Sequence, residues 1–148
     1  MAFRFRLERV RAVRERREKI AQQDLARAIA ERSSAEAQLR EAEEHLERAH
    51  EHQRGVAPGA SISPAELQAL QAYLERVEAQ RGAHARELGV REEEVAARDA
   101  QLTVAAGEHE MLKRLRERRR GEHRRELARI EGNTLDEIAA RTVRRGAA

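Results

Sequence analysis

The sequence predicts an all-α protein, a long two-helix antiparallel coiled-coil hairpin with an overhanging C-terminal helix. Apolar residues recur at alternating four- and three-residue spacing through two long segments, and one short connector rich in proline and glycine separates the segments. Of the 148 residues, 39% are charged and 2% are aromatic. This composition lacks the large apolar side chains of a thick globular core and is typical of long helices.

The first helix is predicted from about residue 3 to residue 54. Its four-three spacing is that of a coiled-coil seam. Alanine occupies one register of this seam five times in succession, at Ala21, Ala28, Ala35, Ala42 and Ala49. Alanine allows two helix backbones to approach closely, which favours tight antiparallel pairing. Upstream, the apolar stripe is expected to continue with a shift of phase through Phe3, Leu7, Val10 and Val13.

The connector, residues 55–63, is bounded by recognisable helix signals. Ser63 and Glu66 form a capping-box pattern, with Pro64 at the first helical position. Gly55 fits the left-handed position that ends many helices. These signals predict that the first helix stops at the start of the connector and that the second starts at its end.

The second helix is predicted from about residue 64 to residue 131. A second capping-box pattern begins at Thr134, directly after Gly132 and Asn133, and predicts a separate short C-terminal helix over about 135–145. The seam of the second helix is formed by leucine, valine and isoleucine, at Leu67, Leu70, Leu74, Val77, Leu88, Val95, Leu102, Leu112, Leu115, Leu127 and Ile130.

A loop this short between two matching seams predicts that the helices pair antiparallel within one chain, as a single domain. Folding the chain at the centre of the loop brings Phe3 near Leu115 and Leu46 near Ala72. Residues beyond about Arg116 then overhang. A parallel homodimer would also satisfy both seams, but it would leave the loop without a purpose.

Two arginine-rich stretches, residues 4–17 and 113–129, meet at the open end of this predicted hairpin. The net charge is only +3, since 27 acidic residues offset 30 basic ones. Glutamates interrupt the second stretch and no aromatic residue lies within it to stack on bases. The sequence therefore favours a solvated helix face with local ion pairs over a nucleic-acid contact at this end.

The sequence shows no residue pattern typical of a catalytic, metal or cofactor site. It has no phosphate-binding glycine loop, no nucleophile at fixed spacing from a base and no cysteine. We predict no enzyme, no catalytic or metal site and no cofactor. The N-terminal residues lack the apolar run of a signal peptide, and no stretch approaches the roughly 20 apolar residues of a membrane span. A cytoplasmic protein is expected.

Three segments together resemble the flagellar export protein FliJ family. Residues 2–10 are similar to the family's aromatic and basic opening, and residues 70–77 are similar to the pattern that follows its loop. Residues 113–119, continued by residues 135–139, resemble its arginine-rich last helix and Asp-Glu tail. The order and spacing of these segments extend the resemblance over the whole chain.

The resemblance implies a non-enzymatic stalk of the bacterial flagellar type III export apparatus, with roles in flagellum biogenesis, motility and chemotaxis. It implies three partners: a hexameric export ATPase, a membrane export gate protein and export chaperones. The stalk would be a monomer when free and would associate peripherally with the inner membrane. The alternatives are the stalk protein of a virulence type III secretion system and a coiled-coil spacer that binds no ATPase.

Residues for two contacts carry over from the resemblance. Gln38, Tyr73 and Val77 match the gate-contacting cluster of the family, although His45 and Ala49 stand where the family has tyrosines. Tyr73 lies beside the seam, so helix packing is the alternative role for its ring. The ATPase contact is assigned to the arginines of the open end, Arg4, Arg6, Arg116, Arg118, Arg119 and Arg120.

Overall fold

Two α-helices make up nearly all of the structure, which is a computed structural model describing residues 3–56, 59 and 62–146, with side chains as far as Arg144. Helix α1 spans Glu8–Gly55 and helix α2 spans Pro64–Gly146. The described part of the chain contains no strand. The two helices pack against each other, which confirms the predicted all-α two-helix fold. Residues 57–58 and 60–61 of the predicted connector lie outside the described residues.

Contacts divide the chain into two compact units, each with a segment of both helices. The terminal unit comprises Met1–Lys19 and Val104–Ala148, and the central unit comprises Ile20–Thr103. A residue in a pair of long helices touches only its neighbours along that pair, so its contacts are local. Each unit therefore has its own set of helix–helix contacts.

The core of the central unit is made almost entirely of alanine. Ala28, Ala35, Ala42 and Ala49 are buried, together with Val77 of α2. The fifth alanine of the predicted seam, Ala21, is half-buried, as are the leucines between the alanines. The prediction of an alanine seam is thus confirmed at four of its five positions. Because alanine ends at Cβ, the helices meet closely but bury little apolar surface.

Two ion pairs between the helices define the register of the central unit. Arg81 Nη2 lies 3.5 Å from Glu43 Oε1, and Arg91 Nη1 lies 2.8 Å from Glu31 Oε2. The predicted register, which set Leu46 opposite Ala72, is wrong because it would place Glu75 rather than Arg81 opposite Glu43. The reason lies at the start of α2. Residues 62–69 are all exposed, so its first turns extend beyond the part that pairs with α1.

The N-terminus of α2 carries the predicted capping box. The backbone N–H of Ser63 donates to Glu66 Oε2 at 2.8 Å, and the backbone N–H of Glu66 donates to Ser63 Oγ at 3.2 Å. Hydrogen bonds to the carboxylate of Glu66, from the backbone and then from the side chain of Ser63, lower its pKa from the ordinary value of 4.5. The other end of the connector was predicted wrongly. Gly55 is the last residue of α1, whereas the left-handed glycine is Gly59, with φ of 108°.

The predicted break before a separate C-terminal helix is also wrong, since α2 continues through Gly132 and Asn133 to Gly146. Thr134 does not cap a new helix. Its hydroxyl instead donates to the carbonyl of Ile130 at 2.9 Å, inside the helix. A glycine costs a helix about 1 kcal/mol, and each residue added to an existing helix gains a hydrogen bond. Residues 128–144 are exposed, so α2 does overhang α1, but the overhang begins later than the predicted start at about Arg116.

The close approach at the alanine seam is tested by enlarging one seam residue. Ala35→Leu should lower the free energy of unfolding by about 1–3 kcal/mol, because the added methyl groups force the backbones apart. Ala37 is exposed on the same helix, so Ala37→Leu should change stability by less than about 0.5 kcal/mol. Urea denaturation followed by circular dichroism compares the two. Equal stability of both variants would contradict the alanine seam.

The capping box predicts acid sensitivity. The pKa of Glu66 is lowered in the folded state, so its stabilisation is present above the unfolded pKa and is lost as the pH falls through the folded pKa. Glu66→Gln cannot titrate. The urea midpoint of the wild type should therefore exceed that of the variant at pH 7, and the difference should disappear well below pH 4.5. A difference that persists in acid would show that the carboxylate charge is irrelevant to the cap.

Candidate partner-binding surfaces

Polar contacts join α1 to α2 in the terminal unit. Arg14 Nη1 donates to Glu108 Oε2, His109 Nδ1 lies 2.6 Å from Glu18 Oε2, and Arg116 Nε lies 3.5 Å from Glu8 Oε2. The second ring nitrogen of His109, Nε2, is buried and has no hydrogen-bond partner among the described side chains. The interface here is held by charge and hydrogen bonds rather than by apolar burial.

The apolar stripe predicted near the start of α1 does not face α2. Leu7, Val10 and Val13 are exposed, while Arg14 and Glu18 occupy half-buried positions at the spacing of the seam. The expected shift of phase is therefore wrong. The side chains of Arg14 and Glu18 reach partners on α2 while keeping part of their surface in water, so α1 continues in one phase with polar residues.

A turn and a strong local ion pair fix the start of α1. The N–H of Glu8 donates to the carbonyl of Phe5 at 3.1 Å, and Arg11 donates to Glu8 Oε1 from Nη2 at 2.7 Å and from Nε at 3.0 Å. The hydrogen bond from Arg11 lowers the pKa of Glu8. A carboxylate in the first turn also suits the positive end of the helix dipole. The segment before Glu8 is thereby placed against α2.

This segment and α2 enclose a groove of about 1050 Å³, which we call the N-terminal groove. The ring of Phe3 lies 5.7 Å from the ring of His123, tilted by 56°. The sequence prediction placed Phe3 near Leu115, and both residues line this groove. Three of the arginines predicted to contact the ATPase also line it, namely Arg4, Arg6 and Arg119. Aromatic rings and guanidinium groups thus share one concave surface.

The other three arginines of the predicted ATPase contact do not line the N-terminal groove. Arg116 lines a smaller groove with Arg4 and Phe5, in addition to its contact with Glu8. Arg118 lines a different groove, beside Val10. Arg120 is exposed. The structure therefore brings the two arginine-rich stretches together, as predicted, but distributes their side chains over more than one face.

The predicted gate-contacting residues lie in the central unit. Gln38 and Val77 line a groove of about 360 Å³ between the helices, together with His45. Val77 is only 5% exposed and forms the floor of this groove, whereas Tyr73, one turn earlier on α2, is 45% exposed. A partner at this surface can therefore bury much of the Tyr73 ring but can reach little of Val77. Ala49, which stands at a tyrosine position of the resembled family, is buried.

Sequence analysis missed other residues of this central groove, namely Glu41, Gln80 and His84. Gln80 and His84 follow Val77 by three and seven residues, so helical spacing places all three on one side of α2. That spacing could have identified Gln80 and His84 as neighbours of Val77. The groove also depends on the register between the helices, which was predicted wrongly. Within the described residues, no three of histidine, cysteine, aspartate and glutamate lie together as a metal site would need.

The described helices also lack any segment that is long and apolar enough to cross a membrane. What the arrangement offers is a set of surfaces. The terminal unit presents guanidinium groups beside aromatic and aliphatic side chains, and the central unit presents a shallow groove of amide, imidazole and carboxylate groups beside an exposed tyrosine ring.

A family model described as Flagellar FliJ protein matches residues 3–148. Neither the curated proteins nor the solved structures contain a significant match to this chain.

Proposed function

Because the chain belongs to the FliJ family of flagellar proteins, we propose that it links the export ATPase ring to the membrane export gate. Membership of the family implies a role in flagellar protein export, in which FliJ proteins are components of the apparatus and not known enzymes. The proposed link is a monomeric, non-enzymatic stalk in the cytoplasm, associated peripherally with the inner membrane at the export apparatus. Loss of this link would impair motility and chemotaxis.

The observation that carries the proposal is the convergence of two arginine-rich stretches in the terminal unit. Arg4 and Arg6 precede α1, yet they line one groove with Arg119 of α2. Guanidinium groups bind carboxylates and carbonyls through a planar fork of donors. Their summed field also attracts an acidic surface over a distance and speeds its docking. We assign the ATPase contact to Arg4, Arg6, Arg116, Arg118, Arg119 and Arg120.

We assign the gate contact to the central unit, at Gln38, Tyr73 and Val77. This surface has a different chemistry from the arginine-rich one, with an exposed aromatic ring beside the central groove. Tyrosine combines a large apolar face with a hydroxyl group, and it is enriched in protein interfaces. The exchange of export chaperones completes the proposed role, and family membership alone supports it.

The ATPase contact is tested by charge reversal. Replacing Arg116, Arg118, Arg119 and Arg120 with glutamate should abolish stimulation of the cognate export ATPase, because the variant repels the acidic surface that the wild type attracts. Helicity should be retained, since Arg118, Arg119 and Arg120 are exposed and Arg116 loses a surface ion pair with Glu8. Added salt should weaken stimulation by the wild type, as screening predicts. Steady-state ATP hydrolysis measures both effects.

A matched variant carries the same change of charge elsewhere. Replacing Arg76, Arg86, Arg141 and Arg144, which are all exposed, with glutamate should leave stimulation close to that of the wild type. Undiminished stimulation by the first variant would refute the proposed contact. A wild-type chain that never stimulates the ATPase would favour a coiled-coil spacer instead.

The gate contact is tested at Tyr73. Tyr73→Ala should reduce binding to the export gate and swimming motility, while the melting temperature stays nearly unchanged because the ring is half-exposed. Val77→Ala provides the contrast. Val77 is buried, so its truncation should cost about 1–3 kcal/mol of stability. If Tyr73→Ala lowers the melting temperature as much as Val77→Ala does, the ring belongs to the helix packing and the gate contact fails.

A further inference from the structure

An unexplained apolar strip runs along one side of the terminal unit. Val10 and Val13 of α1 are 43% and 52% exposed, and Met111 of α2 is 72% exposed. Val10 and Met111 line one groove of about 670 Å³, with Leu112 and Leu115. We call Val10, Val13, Met111, Leu112 and Leu115 the valine–methionine strip. The proposed ATPase and gate contacts do not use Val10, Val13 or Met111, whereas Leu115 also lines the N-terminal groove.

The polar contacts of the terminal unit explain why the strip is open. Arg14 and Glu18 occupy the positions of α1 that face α2. There Arg14 contacts Glu108 and Glu18 contacts His109. The two valines lie beside those positions, so neither is packed between the helices, although Val10 lines a groove with side chains of α2. The pairing of α1 with α2 therefore leaves both apolar side chains exposed to solvent.

Positive charge surrounds the strip. Arginine side chains line it on both helices, at Arg9, Arg14, Arg17, Arg114 and Arg118. Glu108 is the acidic residue that lines the same groove, and its carboxylate is already bonded to Arg14. A partner that covers the strip must therefore combine apolar side chains with flanking carboxylates.

We propose that the valine–methionine strip binds an acidic amphipathic helix of a partner protein. Apolar residues of such a helix, spaced by three, four and seven, would fill the groove between α1 and α2, and flanking glutamates or aspartates would pair with the arginines. Met111 suits this use, because its unbranched, flexible side chain adapts to apolar surfaces of different shape.

Charge and shape argue against two other occupants. A second copy of this chain would bring its own arginines against these arginines, and like charges across an interface cost affinity. An anionic membrane would match the charge, but a flat lipid surface does not fill a groove between two helices. The proposal goes beyond the stalk function, since it requires neither the ATPase ring nor the export gate.

The probe is a fluorescein-labelled peptide of about 20 residues, long enough to be partly helical alone. Leucines line one face and glutamates fill the others. Fluorescence anisotropy with the full chain should give saturable binding that weakens with salt. Met111→Glu should raise the Kd by about tenfold or more, because one apolar contact is replaced by a charge that repels the peptide. Arg114→Glu should also raise the Kd.

The chain offers a matched control for each variant. Val143 is as exposed as Met111, at 72%, so Val143→Glu adds the same charge away from the strip. Arg141 resembles Arg114 in side-chain exposure, 78% against 79%, and in its pairing with the glutamate four residues earlier. Val143→Glu and Arg141→Glu should leave the Kd unchanged.

Several results would overturn the proposal. Equal binding of a peptide with the same composition but scattered leucines would indicate charge attraction alone, and equal binding of a lysine version would exclude the arginine rim. Failure of the first peptide to saturate would also refute the strip as a helix site. Sedimentation of the chain as a Met111-dependent dimer, or Met111-dependent binding to anionic vesicles without peptide binding, would assign the strip to one of the other occupants. ATPase stimulation is measured separately, so its loss or survival leaves this result intact.

Discussion

The close approach of two helix backbones at the alanines of α1 is the constraint on which the rest of this structure depends. Ala28, Ala35, Ala42 and Ala49 are buried in this interface. Because their side chains end at Cβ, α2 can lie close, and any longer side chain would hold it further away. The same residues bury little apolar area, so their contribution to stability is small. Ion pairs along the surface add at most about 1 kcal/mol each. A protein stabilised in this way keeps most of its side chains in water, where partners can reach them.

The chemistry of the exposed surface then differs between the two units. In the central unit, alanine and Val77 form the interface, and the neighbouring groove and Tyr73 provide a mildly polar docking surface. In the terminal unit, Arg14 and Glu18 replace apolar residues at the interface, and guanidinium groups surround two grooves. The polar pairs therefore have two consequences. They hold α1 to α2, and they leave Val10 and Val13 exposed. Surfaces of this kind suit the adaptor role that we propose for this member of the flagellar FliJ family.

Periodic and local features of the fold could be predicted from the sequence, whereas features that depend on the rotation or register of two helices could not. The seven-residue spacing of the alanines and the Ser63–Glu66 capping box involve residues that are close in sequence. Their structural role can therefore be predicted without knowing how the helices pair. The register failed because the first turns of α2 extend beyond its pairing with α1. The predicted shift of phase near Val13 is wrong because arginine and glutamate occupy seam positions there, and a search for apolar residues does not detect them. The convergence of the arginines followed from antiparallel pairing alone, but the separation of Arg118 from Arg119 depends on helix rotation. Glycine is an ambiguous signal, and Gly132 lies inside a helix that the sequence appeared to end.

The pairing of the helices at the alanine seam is measured most directly by cross-linking, since the chain has no cysteine of its own. Glu43→Cys is combined with Arg81→Cys, at a position where the native side chains lie 3.5 Å apart. A second variant combines Glu43→Cys with Glu75→Cys, the pairing expected for a register centred on the loop. A short thiol-specific cross-linker should join the first pair rapidly within one chain, and the second pair much more slowly. Faster reaction of the second pair, or cross-linked dimers in place of monomers, would contradict the antiparallel alanine seam.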